Sequence, residues 1–290
     1  MAFSARAHLG WSEQRATMVQ DAVNRALAHT AKCRQVIPKE PDQIGNRAVV
    51  WPTVSVPLSL GPDVVASPIH IHADFSVDDW RIDDEAAFIH LVRAGAAQLG
   101  SLEDGEIIMG AMAGAPPAGA GRTQRNNFAP LARAQLNSIV AAPAGTGSTE
   151  INAGGGPPTG AQLVNAVVAG MISLEQANRP GRCGLLLHNS LLGTLGLPAA
   201  PGAAPFIHQV EQIIGGNEIT GTPALSGMFH ALGETGAILF RLDPPAVAIV
   251  QTMLPTLTFL SRNAGQTSFR IEEEIVVQIF DQRAVHHIRY

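Results

Sequence analysis

The stretch "NRAVVWPTVSVPLSLGPDVVASPIHIHADFSV" (46–77) constrains this chain more than any other. Val54 and Val56 alternate with Thr53 and Ser55, which is the period of a strand. Pro52, Pro57, Pro62 and Pro68 fall in the same run, and each removes a donor from any ladder it joins. A segment with strand period and this density of proline belongs on an edge or outside the body. Residues 47–74 therefore read as a two-stranded arm projecting from the body. Val54, Val56, Leu58, Val64, Ile69 and Ile71 would supply its apolar contacts to a neighbour. Such an arm cannot pack on its own domain, and its backbone groups gain partners only on assembly.

Composition points the same way. Hydrophobic residues make up 46% of the 290 positions and charged residues 15%, where about 25% charged is usual for a soluble protein. A surface so poor in charge is expected to be covered, most simply by copies of the same chain. The net charge is −5 and Lys and Arg are scattered, whereas nucleic-acid binding needs a clustered positive face; no nucleic-acid partner is expected. Cys33 and Cys183 are far apart, fit no metal spacing and read as reduced core thiols. The start "MAFSARAHLGWSEQ" lacks the pattern of a secretory signal, and no apolar run approaches the ~20 residues that span a bilayer. A soluble, cytoplasmic protein without a membrane partner is expected.

Around the arm the periodicity changes. Residues 12–33 read as an amphipathic helix capped by Ser12, with Val19, Ala22, Val23, Ala26 and Leu27 on one stripe. Residues 82–112 return to helical period, and Gly95, Gly100 and Gly105 predict a bend or break near 100–105. Residues 113–160 are rich in Gly, Pro and Ala and read as loop with a short helix at 129–140. A helix at 159–178 capped by Thr159 follows, then a buried strand "CGLLLH", two short helices around a Pro/Ala loop, and further strands. "TLTFLSR", "TSFRIEEEIVVQIFD" and "AVHHIRY" close the chain. Helices first and long antiparallel strands last make an α+β layout.

No chemistry stands out against that background. His70, His72 and Asp74 share one face of a strand and could begin a metal-hydrolase signature. That signature needs a histidine at 75, where this chain has Phe75, and no later histidine has ligand spacing. A metal-dependent hydrolase using these residues is thus the weakest alternative. No Gly-x-Ser-x-Gly elbow exists, and Ser190 has no base that the sequence implies. The acids of "VDDWRIDDE" suit a helix N-terminus; those of "EEE" (272–274) alternate across a strand. The chain reads as a non-enzyme without catalytic residues, metal or cofactor.

The order of the pieces resembles the encapsulins, shell proteins with the Hong Kong 97-type phage capsid fold. "ADFSVDDWRIDD" (73–84) is similar to that family's strand leading into its long spine helix, with Trp80 at its aromatic position. "AAQLGSLEDGEIIMGAMAG" (96–114) is similar to its Ala-rich helix, here with Glu103, Asp104, Ile107, Ile108 and Gly110. "HQVEQIIGGNEITGTPAL" resembles an apical helix, double glycine and strand; "FRIEEEIVVQIFDQRAVHHIRY" resembles the final strand, with Asp281 and Ala284 at its corner and Gln282 in place of a proline.

The resemblance implies a self-assembling icosahedral shell that encloses cargo enzymes. It divides the chain into an N-terminal helix and lead-in (1–46), an extension-loop arm (47–74), a peripheral lobe with the spine helix and the 159–178 helix (75–182, rejoined by 263–290) and an axial lobe (183–262). Pro198, Ala199, Ala200, Pro201 and Gly202 would line an uncharged pore. Val19, Val23 and Leu27 would line the groove where a cargo enzyme docks by a C-terminal peptide, the cargo being ferritin-like or a peroxidase. A prophage major capsid protein of the same fold is the nearest alternative; the roughly 11 residues before the first helix would leave no room for a scaffolding segment.

Overall fold

The computed structural model describes residues 9–46, 48–55, 59–66, 68–108, 119–124, 148–151, 157–225, 236–243 and 245–289. The expected helix at 129–140, Val56 and Leu58 lie outside them. Helix α1 (Glu13–Thr30) starts where the hydroxyl of Ser12 accepts from Arg15 N at 3.2 Å. Strands β1 (Val49–Ser55) and β2 (Ser59–Ala66) form an antiparallel hairpin, in which Val54 stands opposite Leu60 and Trp51 opposite Val64. Among the described residues this hairpin is a sheet of two strands, with a register shift beside Pro52.

Strand β3 (Ile69–Asp78) begins the body. A single turn leads into α2 (Glu85–Ile108), which runs unbroken through all three of its glycines. The break expected near 100–105 is absent because two of these glycines serve close packing. A Cβ at Gly95 would stand 3.0 Å from the Phe75 ring; one at Gly100 would stand 2.5 Å from Thr30 Oγ1 and 2.9 Å from Ala31 N. The hydrophobic gain of bringing α1 and β3 this close outweighs the helix propensity lost at glycine.

Two sheets complete the body. In the first, β4 (Ala120–Gln124), β3, β10 (Gln266–Ile279) and β9 (Val247–Asn263) lie antiparallel in that order. β9 and β10 join through Ala264 (φ +50°) and Gly265 (φ +80°), two positive-φ residues as a tight hairpin turn requires. In the second, the order is β5 (Ser148–Glu150), β11 (Val285–Arg289), β8 (Gly236–Arg241), β6 (Cys183–His188) and β7 (Ile219–Thr222), parallel at β5–β11 and β6–β7.

Helices α3 (Gly160–Gln176), α4 (Asn189–Leu195) and α5 (Phe206–Ile214) pack with this second sheet in a core of their own, around Leu163, Val167, Leu185, Leu187, Val210 and Leu239. A reciprocal capping box between Thr159 and Gln162 starts α3, and Gly215 in the left-handed region ends α5. The divisions expected at 183 and 262 are therefore both displaced. Helix α3 packs with the second sheet rather than with α2, and β9 belongs to the first sheet beside β10. The closing segment divides too: β10 returns to the first sheet and β11 joins the second. Lobe membership follows burial partners, not chain order.

Candidate assembly surfaces and polar clusters

The arm is rooted, not free. Val49 and Trp51 are buried against Val250 and Val276, and Trp51 Nε1 donates to the Ile279 carbonyl at 3.2 Å. Beyond this anchor the hairpin has no third strand among the described residues. Val50 beside it is 54% exposed. Two strands alone are marginal in water, so both edges of this ribbon stand as templates for another chain. Ile69 and Ile71 are not part of it. They belong to β3, are fully buried and face α2 in the main core. Pro68 ends the arm's return strand, and the alternation that resumes after it is that of a body strand.

On the opposite face of β3 lie the histidines. His70, His72 and Asp74 stand in register with Glu274, Glu272 and Arg270 of β10. Arg270 holds both oxygens of Asp74, at 2.7 and 2.8 Å. His70 Nε2 lies 2.9 Å from Glu272, whose other oxygen accepts from Thr258 at 2.7 Å. The His70 hydrogen bond, with that of Thr258, keeps Glu272 below the usual carboxylate range; burial and the nearby Arg270 lower the His72 imidazole. Asp74 is consumed by a bidentate pair, and no three metal-ligating side chains come together among the described residues. His70, His72 and Asp74 thus lie on a polar sheet face built from cross-strand pairs, and the structure does not gather them into a ligand set.

Sequence reasoning missed a buried carboxylate cluster at the centre of the body. Glu103 accepts from Arg34 Nε at 2.6 Å, and Arg34 also reaches Glu273; both glutamates are fully buried. Gln251 Nε2 donates to Glu273 at 3.2 Å. Asp104 accepts from Cys33 N at 2.8 Å, Lys32 N at 3.1 Å and Thr222 Oγ1 at 3.1 Å. Burial pushes the Glu103 carboxyl well above its ordinary value, the Glu273 charge adds to this, and Arg34 opposes it. The cluster thus ties the turn after α1 to α2, β9, β10 and β7. Its sequence signal was the run of acids Glu103, Asp104 and Glu106 near the end of a largely apolar helix.

Arg34 and Gln251 also wall a cleft of about 720 Å³ between α1, the segment after it and β9. Gln20, Asn24, Leu27, Ile44 and Leu254 line the rest. Of the three residues expected in a docking groove, only Leu27 reaches it. Val19 and Val23 are corrected: both are fully buried in the chain's own core, because the apolar stripe of α1 is its packing stripe. The groove's exposed apolar surface comes instead from Ile44 and Leu254.

The loop from Gly196 to Ala204 is exposed throughout, including Pro198, Ala199, Ala200, Pro201 and Gly202. A bridge between Pro198 and Pro205 closes its base, and Gly202 takes φ +84°, which disfavours other residues. Ser190 does have a neighbour that the sequence did not suggest: His188 Nδ1 lies 2.8 Å from its hydroxyl. The same nitrogen accepts from Ser190 N at 3.3 Å, so His188 acts as the N-cap of α4. No helix among the described residues is long and apolar enough to cross a membrane.

A rooted hairpin arm, a long helix crossing a four-stranded sheet and a second five-stranded lobe define the Hong Kong 97-type capsid fold, an α+β architecture. Solved structures with it include the virus-like particle of Pyrococcus furiosus, at TM-score 0.67 and 12% identity, covering 93% of this chain and 97% of that one. The capsid of Myoviridae phage XM1 matches at TM-score 0.57 and 9% identity, over 90% and 91%. The holo encapsulin complex of Synechococcus elongatus PCC 7942 matches at TM-score 0.52 and 11% identity, over 89% and 86%. No family model and no curated protein sequence matches the chain. At these identities the likeness is one of fold.

Proposed function

We propose that this chain is the subunit of a closed icosahedral shell of encapsulin type, assembled from copies of itself around cargo enzymes. The observation that carries the reading is the β1–β2 hairpin: anchored by Trp51 and paired with no third strand among the described residues. A neighbour's strand or sheet edge would complete it, and closed symmetric contact would cover a surface poor in charge. Exposed loop 196–204 would then meet its copies around an axis, as an uncharged pore rim. The cleft between α1 and β9 is the docking place for a cargo peptide, with Ile44 and Leu254 offering apolar contacts, Gln20 and Asn24 polar ones, and Leu27 forming its buried floor.

Negative-stain microscopy and light scattering of the purified chain test the reading. Uniform hollow particles are expected, and replacing 53–63 by a short Gly-Ser turn, which keeps the Val49 and Trp51 anchor, should leave a folded protein that forms none. A wild-type chain that is a stable monomer overturns it. Contents separate the cargo shell from a phage capsid: co-purifying enzyme lost on Leu254→Asp supports the former, whereas packaged DNA supports the latter. The net charge of −5 and the lack of basic clusters weigh against a DNA-filled interior.

A further inference from the structure

A second cavity, of about 510 Å³, lies where the two sheets meet, at the end of β8 and the corner between β10 and β11. Its size is that of small-molecule pockets. Pro180, Pro245 and Phe280 contribute apolar walls, and Arg179, Arg241 and Asp281 the charged ones, with Glu40 also in the lining.

The arginines are unusual. Arg241 is only 1% exposed, among the most deeply buried large side chains of the protein. One of its terminal nitrogens, Nη1, donates to the Gly181 carbonyl and lies 4.0 Å from Met171 Sδ. Nε and Nη2 are buried and, among the described residues, have no oxygen or nitrogen acceptor, although the Cys183 thiol stands beside the Arg241 side chain. Arg179 gives Nε to Asp281 and Nη1 to the Asn178 carbonyl, leaving Nη2 buried without a partner among the described residues. Asp281 is already shared between Arg179 and Arg283. Among the described residues neither Glu40 nor any other carboxylate stands within ion-pair distance of Arg241.

A buried guanidinium without a counter-ion is costly, and leaving its donors unmade adds to the cost. Nε and Nη2 are the adjacent pair that grips a carboxylate through two parallel hydrogen bonds. The largely apolar wall around them suits a ligand with one charged end and an apolar body, and disfavours a phosphate, which needs donors on more sides. We propose that this cavity binds a small monocarboxylic acid, its carboxylate on Arg241 and Arg179 and its apolar body against Pro180, Pro245 and Phe280. Nothing in this site depends on the arm or on a shell, so it stands or falls apart from the assembly reading.

Sodium octanoate is the probe, titrated calorimetrically into the full-length protein in whatever assembly state it purifies. Inorganic phosphate tests charge alone and 1-octanol tests apolar contact alone. Octanoate is expected to saturate at one per chain and to raise the unfolding temperature with its concentration, with both controls weaker by about tenfold or more. Arg241→Met should weaken octanoate binding by about tenfold or more, while leaving the ligand-free protein at least as stable as wild type. Arg179→Gln, nearer the surface, should weaken it several-fold and provides the reading should the first variant fail to fold. No saturable binding, phosphate or octanol binding as tightly as octanoate, or a folded variant titrating like wild type overturns the proposal.

Discussion

Replacing Arg34 by alanine tests whether the buried carboxylates hold the centre of the body together. Arg34 reaches both Glu103 and Glu273, and neither carboxylate has any side-chain exposure. Without the guanidinium, two like charges would face each other where water cannot enter. Breaking a buried pair from one side costs about 3–5 kcal/mol. For a domain of this size such a loss lowers the melting temperature on the order of 10 °C.

The pH dependence gives the reasoning a sign. Burial, and then the Glu273 charge, hold Glu103 above the usual carboxylate range, with Arg34 pulling it back. A carboxyl raised in the folded state contributes stability that is full below its unfolded pKa and lost as pH rises through the folded one. Removing Arg34 raises Glu103 further and extends that loss. The deficit of Arg34→Ala should thus be largest at pH 7 and shrink toward pH 5. Adding Glu103→Gln removes one of the two charges and should recover most of the loss at pH 7. Guanidinium unfolding midpoints of the full-length proteins, compared in one assembly state at both pH values, provide the measurement. A deficit below about 1 kcal/mol, the size of a surface ion pair, or one that does not change with pH, refutes the account.

Two further outcomes are expected. Gly100→Ala should destabilise by about 1–3 kcal/mol through overpacking against Thr30 and Ala31, despite the better helix propensity of alanine; equal thermal stability would mean that α1 and α2 can part without cost. His286 and His287 are held by burial at about 4 and about 3. A histidine depressed in this way contributes stability above its unfolded pKa of about 6.5 and loses it as pH falls through the folded value. Fluorescence-monitored unfolding should show stability declining from about pH 6.5 toward pH 4, and a His286→Gln protein with the same slope would remove that residue as a cause.

What the sequence made legible was local. Pro52 and Pro62 exclude a central strand whatever surrounds them, so the arm could be read before any contact was known. Ser12, Thr159 and the period-2 tail similarly carry their structure in neighbouring residues. What escaped depends on contacts between distant parts. Ile69 and Ile71 look like arm residues because Pro68 adjoins them, yet α2 lies over them and makes them core. Glycines 95 and 100 look like breaks until Phe75 and Thr30 are seen to occupy the space that they leave. The apolar stripe of α1 could equally serve a core or a groove; burial against β9 and α2 chose the core. Glu103 and Glu273 belong to elements that no local pattern connects, and Arg241 ends an apolar strand with no sign of how deeply its guanidinium is buried.

These buried charges and the open cleft are parts of one arrangement. Arg34 stands at once in the wall of the α1–β9 cleft and between Glu103 and Glu273; Gln251 likewise lines the cleft and donates to Glu273. The cleft's polar wall is thereby fixed from behind by side chains that cannot relax into water. A peptide docked there, as proposed, would gain from such rigidity, since ordering a loose groove would subtract from the binding free energy. The same bonds join the turn after α1 to β10, whose far face carries the His70–Glu272 and Asp74–Arg270 pairs. Arg34→Ala should therefore loosen the cleft before it unfolds the sheet, visible as faster amide exchange at 32–37 and 249–252 while 266–272 of β10 stays protected.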